Sequence, residues 1–242
     1  MKQTCVRDGG SAESAGSGTA VAKGQQGMKQ RLTRKRLINT AKEFCSQRHA
    51  YRELLGVTDG KAVGTFIEHR LRDRLSERYE IGAGNSALGI DLPAVTTDIK
   101  VTSARQPQSS CPFRSARQKV YGLGYSILLL VYEKTDRYES GEAVLEFVRC
   151  AFIAAECTAD YQTTRGIREI LERDGNRDDV IAFLSDRNLP GDEIVHSELA
   201  TEIMASPPEI GYLTISNALQ WRLQYGRVIG LTESVPGIVK IT

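Results

Sequence analysis

The sequence has few of the residues that build disulfide, zinc or histidine-based sites. Its three histidines form no HExxH or HxH pattern, which removes the usual signatures of a zinc hydrolase. No CxxC occurs, and an odd number of unpatterned cysteines argues against a disulfide scaffold or a zinc finger. Reduced thiols of this kind favour a cytoplasmic protein. The five cysteines are Cys5, Cys45, Cys111, Cys150 and Cys157.

Long apolar runs and bulk charge are also missing. The apolar run at 127–131 has the length of a strand core and is far too short to span a membrane. The N-terminus lacks a secretory hydrophobic region, so we expect no export. The formal net charge is only +2, and any affinity for nucleic acid must therefore come from a local basic face. The Gly82-Ala83-Gly84 run lacks the rest of a dinucleotide fingerprint, which argues against a methyltransferase.

The chain of 242 residues divides into three stretches by composition. Residues 1–27 are rich in Gly, Ser and Ala and predict a disordered tail, although Met28 would also make a sensible start. Residues 28–155 contain the patterns of an α/β core, and residues 156–242 read as a mostly helical part that serves DNA recognition or dimerisation. One large domain and a domain with a smaller appendage both fit this length.

Two helices are predicted before the first acidic motif. Residues 28–55 show apolar residues at three- and four-residue steps, with a basic opposite face that either meets phosphates or is simply solvated. Residues 61–79 form the second helix, and Glu68 lies near the edge of its apolar stripe. A lone glutamate on a helix is usually a solvated residue, so its position in the order of acids along the chain is what singles it out.

The segment Asp98-Ile99-Lys100 places a carboxylate and an ammonium on one face of a predicted strand. Side chains alternate in a strand, so Ile99 would point to the core on the other face. Asp91 lies seven residues earlier, and Pro93 interrupts the strand pattern between the acids. A chain reversal near 94–95 would put Asp91 and Asp98 on neighbouring antiparallel strands, where both carboxylates could face one cation. The alternative is an exposed cross-strand ion pair of little energy.

The order Glu68, Asp91, Asp98-Ile99-Lys100 resembles the active site of the PD-(D/E)XK nuclease superfamily. The longer run TDIKVTSARQPQSSCPFRSARQKVYGLGY resembles the type II restriction endonucleases of that superfamily. The resemblance covers about residues 60 to 135, and Ile90 stands where the family motif has proline. It implies an α/β fold with a central mixed β-sheet flanked by helices, with a helix at 115–122 and a strand at 125–132.

The resemblance also implies a chemistry and an assembly. Asp91, Asp98 and Glu68 would hold Mg²⁺, a cation that prefers oxygen ligands, and Lys100 would stabilise the attacking hydroxide and the charge on the phosphate. The protein would then cut both strands of double-stranded DNA at a short site and leave 5′-phosphates. Palindromic sites match two-fold symmetric homodimers, and a restriction system also needs a DNA methyltransferase for the same site.

The polar loop that follows the Asp98-x-Lys100 strand is predicted to contact DNA. Gln and Arg can read adenine and guanine edges in the major groove, and Ser can bind phosphate oxygens. The alternative is an ordinary polar loop punctuated by Pro107 and Pro112. The predicted DNA-binding residues are Ser103, Arg105, Gln106, Gln108, Ser109, Ser110, Arg114 and Arg117, followed by Gln118 and Lys119 at the start of the next helix.

The C-terminal part predicts helices at 163–173, 177–187 and 193–205. A further helix from 214 or 216 to 225 and a strand at 227–231 are compatible with a winged-helix-like recognition subdomain, whose exposed side would carry Asn217, Gln220, Arg222 and Gln224. They are equally compatible with a segment that caps the core or forms a dimer face. Two other functions remain open from the sequence. One is a repair or transposon-end endonuclease with the same four residues, and the other is a non-enzymatic DNA-binding module whose acids are structural.

Overall fold

The computed structural model describes residues 29–82, 90–111, 115–216 and 221–242. The predicted tail at 1–27 and the predicted DNA-binding residue Arg114 lie outside this part. The helices are α1 (Arg34–Cys45), α2 (Gly60–Arg78), α3 (Arg117–Tyr121), α4 (Tyr161–Glu172), α5 (Arg177–Asp186), α6 (Glu193–Ala205) and α7 (Gly226–Ile229). The strands are β1 (Gln30–Arg31), β2 (His49–Tyr51), β3 (Tyr79–Glu80), β4 (Thr97–Ser103), β5 (Gln108–Ser110), β6 (Ser126–Arg137), β7 (Glu142–Ile153), β8 (Thr214–Ile215), β9 (Arg222–Gln224) and β10 (Ile238–Lys240).

A mixed, curled sheet forms the centre of the fold. Its strand order is β10-β7-β6-β4, and β2 also pairs with β7. Strand β4 runs parallel to β6, whereas β6, β10 and β2 run antiparallel to β7. The apolar run in β6 is buried on both faces, as expected for a central strand covered on two sides. Strand β4 occupies an end of this strand order, which leaves the Asp98-x-Lys100 segment at an edge of the sheet.

Helices and a second small sheet cover the two faces of the central sheet. One core joins alternate residues of β6 such as Leu128 to α1 and to Ile67 of α2. The other core joins the remaining β6 residues, such as Ile127, to Ile215 of β8, Leu223 of β9 and Val228 of α7. The predicted α/β class with a mixed central sheet flanked by helices is therefore confirmed.

The predicted helix at 61–79 is confirmed as α2. Its N-cap Asp59 accepts a hydrogen bond from the Lys61 amide, and its apolar stripe, including Leu71, is fully buried. The prediction of a helix at 28–55 is wrong after Cys45. Beyond that residue the chain turns and enters the sheet as β2, where the backbone of His49 pairs with β7. Sheet pairing across nearly a hundred residues overrides the local helical pattern there.

Helices α4, α5 and α6 form a helical layer that packs against α3, close to the predicted bounds. Their N-caps are Asp160, Asn176 with a capping box to Asp179, and Asp192. Strands that follow this layer return to the earlier part of the chain, because β9 pairs with β5 and β10 pairs with β7. The division into 28–155 and 156–242 stays a prediction.

The helix predicted to end at 225 and the strand predicted at 227–231 are both wrong in the described residues. The chain forms β8 and β9 there and then the short helix α7, so the winged-helix arrangement is not formed. Trp221, Leu223 and Tyr225 are 5%, 0% and 0% exposed, whereas Arg222 and Gln224 are exposed. This period of two belongs to a strand, and the sequence reading mistook it for a helical pattern.

In the described part of the chain, no helix has the length and apolar character needed to cross a membrane. Cys45, Cys111, Cys150 and Cys157 are buried free thiols.

Candidate active site

Strand β4 presents Asp98 and Lys100 side by side, as the alternation of a strand predicts. Asp98 is only 3% exposed, and its Oδ2 lies 2.7 Å from Nζ of Lys100. Ile99 between them packs into the core formed with α1 and α2. The buried edge strand thus fixes both backbones, and the two charged groups meet at the sheet edge.

A tight reversal brings Asp91 to the same place. A short 3-10 helix (Pro93–Val95) and a left-handed Thr96 turn the chain, and Leu92 bridges antiparallel to Thr97. The Asp91 Oδ2 then accepts a hydrogen bond of 2.9 Å from the Ile99 amide. The predicted reversal near 94–95 is confirmed, although a single bridge replaces the expected pair of strands.

Helix α2 supplies Glu68 because it lies close against β4. A Cβ on Gly64 would stand 3.1 Å from the carbonyl oxygen of Val101, so only glycine fits without displacement. Glu68 lies one helical turn beyond Gly64 on the same side of α2, and its carboxyl group interacts with that of Asp91. Arg72 lies a further turn along, and its Nη1 is 3.8 Å from Oδ1 of Asp91. We call Glu68, Asp91, Asp98 and Lys100 the carboxylate–lysine cluster.

The carboxylates of this cluster strongly perturb one another. Burial, followed by the charge and hydrogen bond of Asp91, raises the pKa of Glu68 to about 7. Burial and the hydrogen bond to Asp91 likewise raise the pKa of Asp98 to about 7, although Lys100 acts in the opposite direction. Burial also opposes the charge of Asp91, but hydrogen bonds from Asp98, Ile99 and Glu68 outweigh it and lower the Asp91 pKa. Like charges this close cannot all ionise without a compensating cation.

The chemistry of the cluster suits a divalent metal ion, but its side chains are not yet arranged as a metal site. Within the described ranges, no three His, Cys, Asp or Glu side chains converge in a geometry that could hold a metal. The donors are nevertheless all carboxylate oxygens, the ligands preferred by hard cations. When ionised, three carboxylates and one ammonium leave two negative charges, which Arg72 offsets only in part. By donor chemistry and charge, the residues present therefore fit a divalent cation.

A cleft of about 770 Å³ opens beside the cluster and is lined by Glu68 and Lys100. The loop after β4 forms another wall of the cleft, so the structure brings most of the predicted DNA-binding residues next to the cluster. The predicted residues that line it are Ser103, Arg105, Gln106, Gln108, Ser109 and Ser110.

Among the described residues, three predicted DNA-binding residues, Arg117, Gln118 and Lys119, do not line this cleft. Arg117 makes a bidentate ion pair with Glu202 of α6. Gln118 accepts a hydrogen bond from the Ser115 amide, and Lys119 is buried against the Trp221 ring. Arg117, Gln118 and Lys119 therefore help to dock α3 on its neighbours, and nothing in the structure adds support for DNA contact by them.

Two arginines lie at this site that the sequence did not place beside the acids. Of the exposed residues predicted for the C-terminal recognition subdomain, Arg222 and Gln224 are described, and Asn217 and Gln220 lie outside the described residues. Arg72 follows Glu68 by four residues on a predicted helix, so its spacing alone was enough to place it beside the acids. Arg222 lines the cleft with Lys100, but it comes from β9, more than a hundred residues later. No local pattern could reveal that contact, because it depends on the pairing of β9 with β5.

Comparisons with known proteins agree with these features. Residues 31–240 match the family model described as type II restriction enzyme NspV. The chain is also 59% identical over 188 residues to the type II restriction enzyme NspV of Nostoc sp. (strain ATCC 29411 / PCC 7524), an alignment that covers 78% of this chain and 86% of that protein. No solved structure matches the chain.

Proposed function

The chain belongs to the NspV family of type II restriction enzymes and is a site-specific deoxyribonuclease, and on this basis we propose that its carboxylate–lysine cluster is the hydrolytic centre. Membership of this family decides against a repair or transposon-end nuclease and against a non-enzymatic DNA-binding module. The observation that carries the proposal is pairwise: Asp91 interacts with both Glu68 and Asp98, and Asp98 pairs with Lys100, beside a polar cleft. These residues come from one helix, one turn and one strand, so the fold assembles them.

The reaction adds water across a P–O bond of the DNA backbone. The water oxygen bonds to phosphorus and the 3′ oxygen leaves, which produces a 5′-phosphate and a 3′-hydroxyl. Enzymes of this class use divalent metal ions, and we propose Mg²⁺, which when bound would lower the pKa of water and neutralise phosphate charge. Asp91, Asp98 and Glu68 would hold this ion.

The protein's own groups have distinct tasks in this scheme. The Ile99 amide fixes the Asp91 carboxylate, so this ligand is oriented before any ion binds. Lys100, released from Asp98, would orient the attacking water and stabilise the negative charge that develops on the phosphate. Glu68 completes the set of acids from α2, directly or through a water molecule.

We propose further that the enzyme acts as a homodimer on double-stranded DNA. Two strands must be cut at one short site, and a two-fold symmetric dimer places one cluster at each strand. In the cell, an enzyme of this kind would be lethal to unprotected DNA, so we propose that a methyltransferase that modifies the same site completes the system. Reduced, buried thiols suit the cytoplasm as its compartment.

A digest of a large unmethylated viral DNA tests this proposal. The purified protein is incubated with the DNA in Mg²⁺, and in parallel in EDTA, and the fragment ends are sequenced. Discrete fragments with 5′-phosphates at one short sequence are expected in Mg²⁺ alone. Cleavage that persists in EDTA would refute the metal-dependent mechanism, and a smear would refute site-specific cutting.

A further inference from the structure

Strands β5 and β9 are neighbours in a three-stranded sheet of order β5-β9-β8. We call this pair of strands the ribbon, and its outer face is polar. In their antiparallel register Gln108 lies opposite Gln224, and Ser110 lies opposite Arg222. Directly opposed residues of an antiparallel pair point to the same side of the sheet. The four side chains therefore share one face, which we call the polar ribbon face. Arg222, Gln224 and Ser110 are exposed, and Gln108 is half-buried.

The opposite face of the ribbon is anchored in the protein core. Leu223 is fully buried with Trp221 and Tyr225 against the central sheet. Ser109, opposite Leu223 in the register, hydrogen-bonds the Tyr225 hydroxyl at 2.5 Å. Since side chains alternate, burial of this set forces the other set outward. The polar ribbon face is thus held rigidly and cannot turn inward.

The ribbon is also tied directly to the catalytic strand. Thr102 shares a face of β4 with Lys100, and its buried hydroxyl accepts a hydrogen bond of 3.1 Å from the Gln108 amide. The same hydroxyl lies 3.0 Å from the Gln108 carbonyl oxygen and can donate to it. This joint fixes the distance between the ribbon and the carboxylate–lysine cluster.

Arg222 reaches the cleft that the cluster lines, together with Gln108 and Ser110. Within the described residues no carboxylate forms an ion pair with its guanidinium. A guanidinium at this cleft that makes no ion pair within the described residues can bind a ligand that accepts two hydrogen bonds. Both a guanine edge and a phosphate satisfy that description.

We propose that the polar ribbon face reads base edges of the bound duplex in the major groove, with Arg222 as its guanine-reading residue and Gln108 and Gln224 as amide readers of adenine. This inference rests on the proposed function. Side chains of β-strands can read base edges in the major groove, and the pairing of guanidinium with guanine and amide with adenine follows from donor and acceptor geometry. The rigid joint at Thr102 couples the reading of a site to the position of the scissile phosphate.

The test compares cleavage of two duplexes by four proteins. Cleavage of viral DNA by the wild type first defines the site. Two short duplexes then serve as probes: one contains that site, and the other contains the site with a single G·C pair changed. Arg222→Ala removes the guanidinium, and Arg222→Lys keeps a positive charge but loses bidentate pairing. Arg137→Ala is the matched control, because Arg137 is exposed on β6, ten residues or roughly 33 Å along the strand from the partner of Asp98.

Both Arg222 variants should lose about 5- to 150-fold of their preference between the two duplexes, the range for one bidentate base contact. Arg137→Ala should keep the preference of the wild type. Full preference in Arg222→Lys, or equal loss on both duplexes in Arg222→Ala, would assign Arg222 to a phosphate and overturn the proposal. Thermal unfolding of each variant shows whether a loss of preference comes from misfolding. If the Arg222 variants are misfolded, Gln224→Ala decides: it should lose preference by the same factor between the site and a duplex in which one A·T pair is changed. Failure of the wild type to cut either duplex would instead refute the proposed function.

Discussion

Lys100 Nζ lies 2.7 Å from Asp98 Oδ2 across one intervening residue of β4, and Lys134 Nζ lies 2.5 Å from Asp136 Oδ1 across one residue of β6. The two pairs have the same composition, but the pKa of the aspartate is shifted in opposite directions. The hydrogen bond from Lys134 lowers the pKa of Asp136, whereas burial and Asp91 raise the pKa of Asp98 in spite of Lys100. An ion pair on a strand is therefore not what distinguishes this site. The site is distinguished by the two further carboxylates, Asp91 and Glu68, beside Asp98.

The close approach of α2 to β4 predicts an effect of Gly64→Ala. Alanine improves helix propensity by about 1 kcal/mol, but its Cβ would press on the Val101 carbonyl at 3.1 Å and push Glu68 away from the cluster. We expect kcat to fall about 10-fold with little loss of stability, as measured by steady-state cleavage and thermal unfolding.

Gly60→Ala is the matched control for this substitution. Gly60 is in the same helix, and the nearest atom to its added Cβ would be the Tyr132 hydroxyl at 4.0 Å. Its kcat should equal that of the wild type. Equal activity of both variants would show that the spacing between α2 and β4 does not limit catalysis.

The Thr102 hydroxyl predicts a difference between Thr102→Val and Thr102→Ser. Valine removes the hydroxyl that bonds the Gln108 backbone, whereas serine keeps it. The Gln108 amide keeps the Gln106 carbonyl oxygen at 2.8 Å, so the loss is about 0.5–1.5 kcal/mol of unfolding free energy. Urea unfolding measures the stability, and cleavage of matched and mismatched duplexes measures the preference. Thr102→Val should lose both and Thr102→Ser should keep the preference. An unchanged preference in Thr102→Val would separate the ribbon from the catalytic strand.

His49 predicts part of the pH dependence of stability. Its Nε2 lies 2.7 Å from the Phe44 carbonyl oxygen, which can only accept, so Nε2 carries a proton. Its Nδ1 lies 2.8 Å from the Tyr51 hydroxyl, which can donate to a neutral ring. Burial lowers its pKa below 6.5. As the pH falls through 6.5 the unfolded chain takes up a proton that the folded chain refuses, and the free energy of unfolding decreases until the folded pKa is reached.

The matched variants for this prediction are His49→Gln and His69→Gln. Urea unfolding between pH 8 and pH 5 should show a smaller loss of stability for His49→Gln than for the wild type. His69 is exposed on α2, and its variant should follow the wild type. Parallel curves for all three proteins would remove His49 as a source of the pH dependence.

Much of the carboxylate–lysine cluster could be predicted from sequence because its parts are local. Asp98 and Lys100 follow from strand alternation, and the Pro93 turn that carries Asp91 back to β4 follows from proline chemistry. Glu68 could be found through the order of acids in a known motif. Its physical placement depends on Gly64, whose role appears only when α2 and β4 are seen in contact.

Only the β5 half of the polar ribbon face could be predicted from sequence. The loop after β4 is rich in polar residues, so Gln108 and Ser110 could be named from the chain. Arg222 could be named as an exposed residue, but its place in the cleft could not be predicted, since it reaches the cleft through a strand pairing between distant segments. The alternation of Trp221, Leu223 and Tyr225 was visible in the sequence, but three apolar residues do not distinguish a strand from the end of a helix.

The most direct measurement is single-turnover cleavage by Asp98→Asn together with its binding to the same duplex without Mg²⁺. Asn keeps the size of the side chain but removes the charge that the mechanism needs. The account predicts a loss of cleavage of at least about 10³-fold with binding within a few-fold of the wild type. Asp136→Asn, the control from the other Lys–Asp pair, should cleave normally. Cleavage by Asp98→Asn at a rate near that of Asp136→Asn would contradict the assignment of the hydrolytic centre.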